Sequence, residues 1–171
     1  GALALIAVDI VSIIGSKFIN SKTLCNAKTS RYCEGGCVFL DRVPEFVSRN
    51  SSFISSETGF QSSNGGVIYS NYIKQIINSF CIFDNSRANF GTFLYISTQK
   101  QRLKVLQNNC IFRKAMSTTG LIYVEAFNTN TQTFISMIKN YCSKTKAVLS
   151  GGFLYINTRN LTLYIIKSLF I

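Results

Sequence analysis

A short phrase, glycine followed by an apolar or aromatic run and then a polar turn, opens six successive stretches of this chain: GALALI at Gly1, GGCVFL at Gly35, GGVIYS at Gly65, GTFLYI at Gly91, GLIYVE at Gly120 and GGFLYI at Gly151. By subtraction, successive starts lie 34, 30, 26, 29 and 31 residues apart. Each phrase is followed by a second apolar run, such as YIKQIINSFCIF, LKVLQNNCIF or FISMIKNYC. The runs are short, rich in Ile, Val, Phe and Tyr, and bounded by Gly, Asn and Ser, which is strand punctuation and not helix punctuation. A sandwich of hairpins has no reason to repeat one phrase at nearly constant spacing. A solenoid has, because each coil stacks on the last and equivalent residues meet at the ~4.8 Å spacing of neighbouring strands. The expectation is an all-β chain: a right-handed parallel β-helix solenoid of about six coils, forming one domain over residues 1–171.

The glycines that open the phrases, Gly35, Gly36, Gly65, Gly66, Gly91, Gly120, Gly151 and Gly152, are expected at coil corners, where a Cβ would clash. The cysteines give a second register. Cys81 stands ten residues before Gly91, Cys110 ten before Gly120 and Cys142 ten before Gly152. These three are therefore expected inside the coil in one stacked column, as small apolar residues. In that setting Cys110→Ser is expected to cost about 1–3 kcal/mol by burying a hydroxyl without a partner. Asn78, Asn108 and Asn140, just upstream, suit side-chain amides stacked along a corner. Cys25 keeps the same ten-residue offset to Gly35. Cys33 and Cys37 flank the EGG turn and are candidates to pair with each other or with Cys25. The spacing of Cys25, Cys33 and Cys37 lacks the paired C-x-x-C of a zinc site.

The stretch Asn78 to Ile96, NSFCIFDNSRANFGTFLYI, resembles the GGA-I-Y-type repeats of right-handed parallel β-helices of the pectin-lyase-like superfamily. It is especially similar to the polymorphic outer-membrane-protein type of repeat, which couples an F-x-x-N element to a GGA-I element. Here Phe83 and Asn85 are separated by one residue. The resemblance implies a coil-built module of a large surface protein. It also brings in an enzymatic alternative, since polysaccharide-cleaving enzymes share that fold.

Such an enzyme needs paired carboxylates on one face. The seven acidic residues, Asp9, Glu34, Asp41, Glu45, Glu57, Asp84 and Glu125, are scattered singly, with only Asp41 and Glu45 close together in sequence. The chain has no histidine, which excludes imidazole-based metal sites and histidine acid–base chemistry. No catalytic residue, metal site or cofactor is therefore expected. Convergence of Asp9, Asp41 and Glu45 in one groove would instead favour a carbohydrate-cleaving or carbohydrate-binding protein.

The formal charge is +11, with lysines and arginines gathered in the turns. No recognition helix or stacking motif accompanies that charge, so nucleic acid is not the expected partner; acidic glycans or an acidic subunit are. Two sequons, at Asn50 and Asn160, and an even cysteine count fit an extracellular or cell-surface location. Asp9 interrupts the apolar opening, leaving no transmembrane segment of about 18 apolar residues. Gly1 takes the glycine position of a coil and the chain finishes within an apolar run. Solenoids end in polar caps, so an end-to-end neighbour is expected, either further solenoid segments or another copy. The reading is a non-enzymatic structural module of a surface or extracellular filament or matrix.

Overall fold

The computed structural model describes residues 2–23, 33–58, 63–100, 102–128 and 130–171, with the backbone alone at Cys33 and Ser63. Among these residues there is no helix; the chain is a parallel β-solenoid. Sheet A is built from Leu3–Ile6, Val38–Asp41, Ile68–Asn71, Leu94–Thr98, Ile122–Ala126 and Leu154–Asn157. Sheet B is built from Ile10–Ile14, Glu45–Arg49, Gln75–Ser79, Arg102–Asn108, Gln132–Ile138 and Asn160–Ile166. Sheet C stacks Lys17–Ile19, Ser52–Ile54, Ile82–Arg87, Ile111–Thr119, Tyr141–Ser150 and Leu169–Phe170, with Lys22–Thr23 and Glu57–Thr58 continuing its early rungs. Sheets A and B thus hold six strands each, and the four inner passages of the chain, Val38 to Ser150, are covered on both sides.

Strand alternation decides what faces in. In Glu45–Arg49, Phe46 and Ser48 are buried while Arg49 is exposed, and the same parity recurs in every sheet B strand up to Gln132–Ile138. The register is direct, so inward residues form columns: Leu3, Val38, Ile68, Leu94, Ile122 and Leu154 in sheet A, and Val11, Phe46, Ile76, Val105, Ile135 and Leu163 in sheet B. In sheet C, Phe18, Phe53, Phe83 and Phe112 stack with centroids 5.0–5.3 Å apart and planes within 12°. On the outside of sheet A, Phe39, Tyr69, Tyr95, Tyr123 and Tyr155 form a second ladder at 4.8–5.2 Å. These two ladders hold nine of the aromatic residues, whereas Phe80 and Phe127 are exposed.

Corners are single left-handed residues. Between sheets B and C, Gly15, Asn50, Phe80, Asn109, Lys139 and Lys167 all have φ between 49° and 60°. Within sheet C the same step is made by Asn20, Ser55, Asn85, Lys114 and Lys144. One such residue bends the chain without a loop, and the same bend recurs at each level of the stack.

The phrase-opening glycines lie where sheet C returns to sheet A. Gly35, Gly65, Gly91, Gly120 and Gly151 have positive φ, as does Gly152. Gly36 and Gly66 are needed for a different reason. A Cβ on Gly36 would lie 2.1 Å from the Gly66 carbonyl oxygen, and one on Gly66 would lie 2.7 Å from those of Arg87 and Thr92. Paired glycines therefore combine a positive φ at the first with close backbone approach at the second. Gly36→Ala should destabilise by about 3 kcal/mol or more, since backbone of adjacent coils must separate. Gly152→Ala, which meets nothing within 4 Å at φ +44°, should cost only about 1–2 kcal/mol. Chemical denaturation of both variants checks the order.

Candidate functional site

The residue after each sheet B to C corner turns inward, and the six positions form a continuous file: Ser16, Ser51, Cys81, Cys110, Asn140 and Ser168. Each is small enough to fit under its own corner, and five bond the carbonyl two residues back. Ser51 Oγ donates to Arg49 O at 2.9 Å, Cys81 Sγ to Ser79 O and Cys110 Sγ to Asn108 O at 3.4 Å, and Ser16 and Ser168 repeat the pattern. A second inward file lies beside it: Ser48, Asn78 and Gln107. Ser48 Oγ donates to Asn78 Oδ1, and Asn78 Nδ2 to Gln107 Oε1 at 3.1 Å. Asn140 ties the two files together, accepting from Cys110 N at 2.9 Å through Oδ1 and donating to Gln107 O at 2.7 Å through Nδ2. All six of Ser48, Asn78, Cys81, Gln107, Cys110 and Asn140 are buried to 2% exposure or less. Apolar residues close the second file at both ends, Ile13 below and Met137 above.

Cys81 and Cys110 are neighbours in the corner file, but Cys142 is not the third member. It pairs with Phe112, two residues further along, and occupies the phenylalanine column; Asn140 takes the corner position instead. Two single-residue offsets hide this in the sequence. The register slips by one between Ser117 and Thr119, and Gly151, not Gly152, is the partner of Gly120 in the coil below. Cys142 is nevertheless buried. The three asparagines likewise do not stack on one another: Asn78 faces Gln107, Asn108 lies on the outward side beside Ser79, and Asn140 sits in the corner file.

Cys37 overturns the pairing expected among Cys25, Cys33 and Cys37 so far as it is concerned. It is a free thiol, fully buried against Ser21 and Ser56, because it precedes Val38 at the entrance to sheet A and points into the core. Cys25 lies outside the described residues, and of Cys33 only the strand backbone, paired with Ser63, is described. Asn50 is the exposed left-handed corner residue, and Asn160 opens the last sheet B strand.

The carboxylates are spread over several faces. Asp41 points out from sheet A, held by Arg42 Nε at 3.0 Å and Asn71 Nδ2 at 3.2 Å. Glu45 points out from sheet B, across the corner Arg42–Pro44, and Asp9 lies in the corresponding corner one coil below. Asp84 pairs with Arg113 and Glu57 with Lys22, both on sheet C. Among the described residues no three His, Cys, Asp or Glu side chains come together as a metal site would require.

Burial raises the Cys37 thiol and the stacked tyrosines of sheet A. It pushes the Cys37 thiol up to about 11. It raises Tyr69 and Tyr95 well above the phenol range, reinforced by the Glu34 and Glu125 carboxylates, and Tyr123 to about 12. The Cys110 thiol, hydrogen-bonded to Cys81 and desolvated, is raised as well.

Comparison of the chain with protein-family models, with curated proteins and with solved structures returns no match.

Two outcomes follow from the buried files and the raised pKa values. The Cys110→Ser cost expected from sequence shrinks to less than about 1 kcal/mol, because a hydroxyl there finds Asn108 O just as Ser51 finds Arg49 O. Asn140→Ala instead strands the buried Cys110 N–H and removes a second donor from the Gln107 carbonyl, and should cost about 1–3 kcal/mol in urea unfolding. In alkali, the unfolded chain releases protons from about pH 9, where the free thiol titrates, while folded Cys37 keeps its proton to about 11. The unfolded state then binds fewer protons, so stability falls as pH rises through that window. Urea unfolding followed by circular dichroism should show the midpoint falling between about pH 9 and about pH 11.

Proposed function

We propose that this chain is a non-enzymatic structural module of a cell-surface or extracellular assembly, extended by stacking of β-solenoid coils. The observation that carries the reading is the direct register of the inward columns from coil to coil, with one single-residue slip between Ser117 and Thr119. The aliphatic columns and the phenylalanine stack from Phe18 to Phe112 set apolar residues on apolar residues, so that the face of one coil is suited to receive another. Leu154 and Ile156 continue columns that Leu3 and Leu5 begin, and Phe170 stands in the column of Phe18. A further coil, from the same polypeptide or from another copy, would add strand hydrogen bonds and apolar burial with no new side-chain chemistry. A contact of that kind between copies is head-to-tail and need not close, which makes a filament its natural product. The sequence resemblance to repeats of large surface proteins supports the same reading. The alternative, a carbohydrate-cleaving β-helix, is disfavoured by the corner that separates Asp41 from Glu45 on two sheet faces.

Sedimentation of the purified chain at micromolar concentration should give species larger than 19.1 kDa, and Leu163→Glu, placing a charge on a coil face, should return them to monomer. A stable wild-type monomer would remove the support for assembly between copies. Incubation with polygalacturonate should release neither reducing ends nor unsaturated products; turnover lost on Asp41→Asn or Glu45→Gln would establish the enzymatic alternative.

A further inference from the structure

The outer side of sheet B changes character along the solenoid. Over its last three strands, the register sets Arg102, Gln132 and Asn160 in one row and Lys104, Phe134 and Thr162 in the next, with Arg159 at the turn beside them. These residues line a shallow open groove of about 980 Å³. Arg102, Lys104 and Arg159 are exposed, and no carboxylate lines the groove. The ion pairs among the described residues are Lys22–Glu57, Arg42–Asp41 and Arg113–Asp84, so none of the three groove cations is neutralised by one. In the row of Lys104 the nearest acid is Glu45, two strands away beyond Gln75, at roughly 10 Å by strand spacing. Phe134 is half-buried, its ring tilted against Tyr164 at 5.6 Å.

From this we infer that the groove is a binding site for an anionic polysaccharide, a chain bearing carboxylates or sulfates on a sugar backbone. Guanidinium groups hold such oxyanions in bidentate fashion and the Lys104 ammonium as a point charge. The side-chain amides of Gln132 and Asn160 and the Thr162 hydroxyl supply donors and acceptors for sugar hydroxyls, and the Phe134 ring offers an apolar patch for the C–H face of a sugar. A single-stranded nucleic acid would meet the same cations, but it binds largely by stacking each base on an aromatic face. The groove has one ring, and that ring already leans on Tyr164. The site is independent of coil stacking between copies. It is incompatible with an N-glycan on Asn160, which would occupy the groove.

The test uses the full chain and fluorescence anisotropy at about 0.15 M salt, where surface charge is screened beyond about 8 Å. The probes are a labelled oligogalacturonate, a labelled sulfated oligosaccharide, a neutral maltooligosaccharide and an oligothymidylate of matched charge. Wild-type protein should bind at least one anionic saccharide and not the neutral one, and the tighter of the two identifies carboxylate or sulfate as the natural acid. R102Q/K104Q/R159Q should weaken that binding about tenfold or more, whereas K17Q/K114Q/K144Q, the same loss of charge on sheet C, should change it less than about twofold. F134A, with its circular dichroism and melting checked, should weaken saccharide binding without changing its salt dependence. Equal weakening by the two triple variants, oligothymidylate binding as tight as the saccharides, absence of saccharide binding, or a glycan on Asn160 of the native protein would each overturn the proposal. Sedimentation of the groove variants reads assembly separately, so failure of one proposal is not failure of the other.

Discussion

Parallel strands stacked in direct register are the constraint on which the rest of this molecule depends. At ~4.8 Å a side chain is closer to its counterparts in adjacent coils than to most of its own coil, so each position is judged by what it makes when repeated. Phenylalanine rings repeat well, because displaced parallel stacking is attractive and fills space, and Phe18, Phe53, Phe83 and Phe112 do so. Tyrosines repeat equally well on the outside of sheet A, where rings are shielded by one another.

The same constraint favours inward polar residues that form a file; the small Ser70, between Leu40 and Ile96, is an isolated exception whose hydroxyl finds no partner. Asn78 alone inside the coil would carry unmet donors and acceptors. Between Ser48 and Gln107 it exchanges hydrogen bonds along the stack. The corner file solves a related difficulty. A single left-handed residue turns the chain tightly, and the small residue behind it is Ser, Cys or Asn; a hydroxyl or thiol there adds a second hydrogen bond to a carbonyl that already accepts the corner N–H of the coil below. Small size is kept at all six positions of the file from Ser16 to Ser168, and the bond to the carbonyl two residues back at five of them, Asn140 bonding across to Cys110 and Gln107 instead.

Outward positions are free of the packing rule, and there the coils differ. Asp41 and Glu125 lie on the outside of sheet A, in line with Asn71 and Ser97. Arg102, Lys104 and Arg159 lie around the last three strands of sheet B without carboxylate partners. A scaffold repetitive within and varied outside can add coils without changing its core and can carry recognition on one face only.

The sequence by itself determined the solenoid, because stacked coils must reuse one pattern and the spacing of Gly35, Gly65, Gly91 and Gly120 displays that reuse directly. Period-two alternation also marks the inside of the coil in strands such as Ile10–Ile14, Glu45–Arg49 and Gln75–Ser79, but not in Ile68–Asn71 or Leu94–Thr98. By sequence, corner amides are expected at Asn78, Asn108 and Asn140, whereas the left-handed corners are made by Asn20, Asn50, Asn85 and Asn109, where asparagine tolerates that backbone, and by Phe80, Tyr72 and Lys139. Phe80, Tyr72 and Lys139 carry no local preference for that geometry; the flanking strands impose it. Only the tertiary structure decided which small residues stand above one another. Cys142 stands on the phenylalanine column and Asn140 over Cys110; the slip between Ser117 and Thr119 and the pairing of Gly120 with Gly151, one residue each, hide this, because no spacing in the chain reveals an offset whose partner lies one coil away. The basic groove is hidden for the same reason: Arg102, Gln132 and Asn160 are separated by 30 and 28 residues, and become neighbours only because parallel stacking sets them side by side.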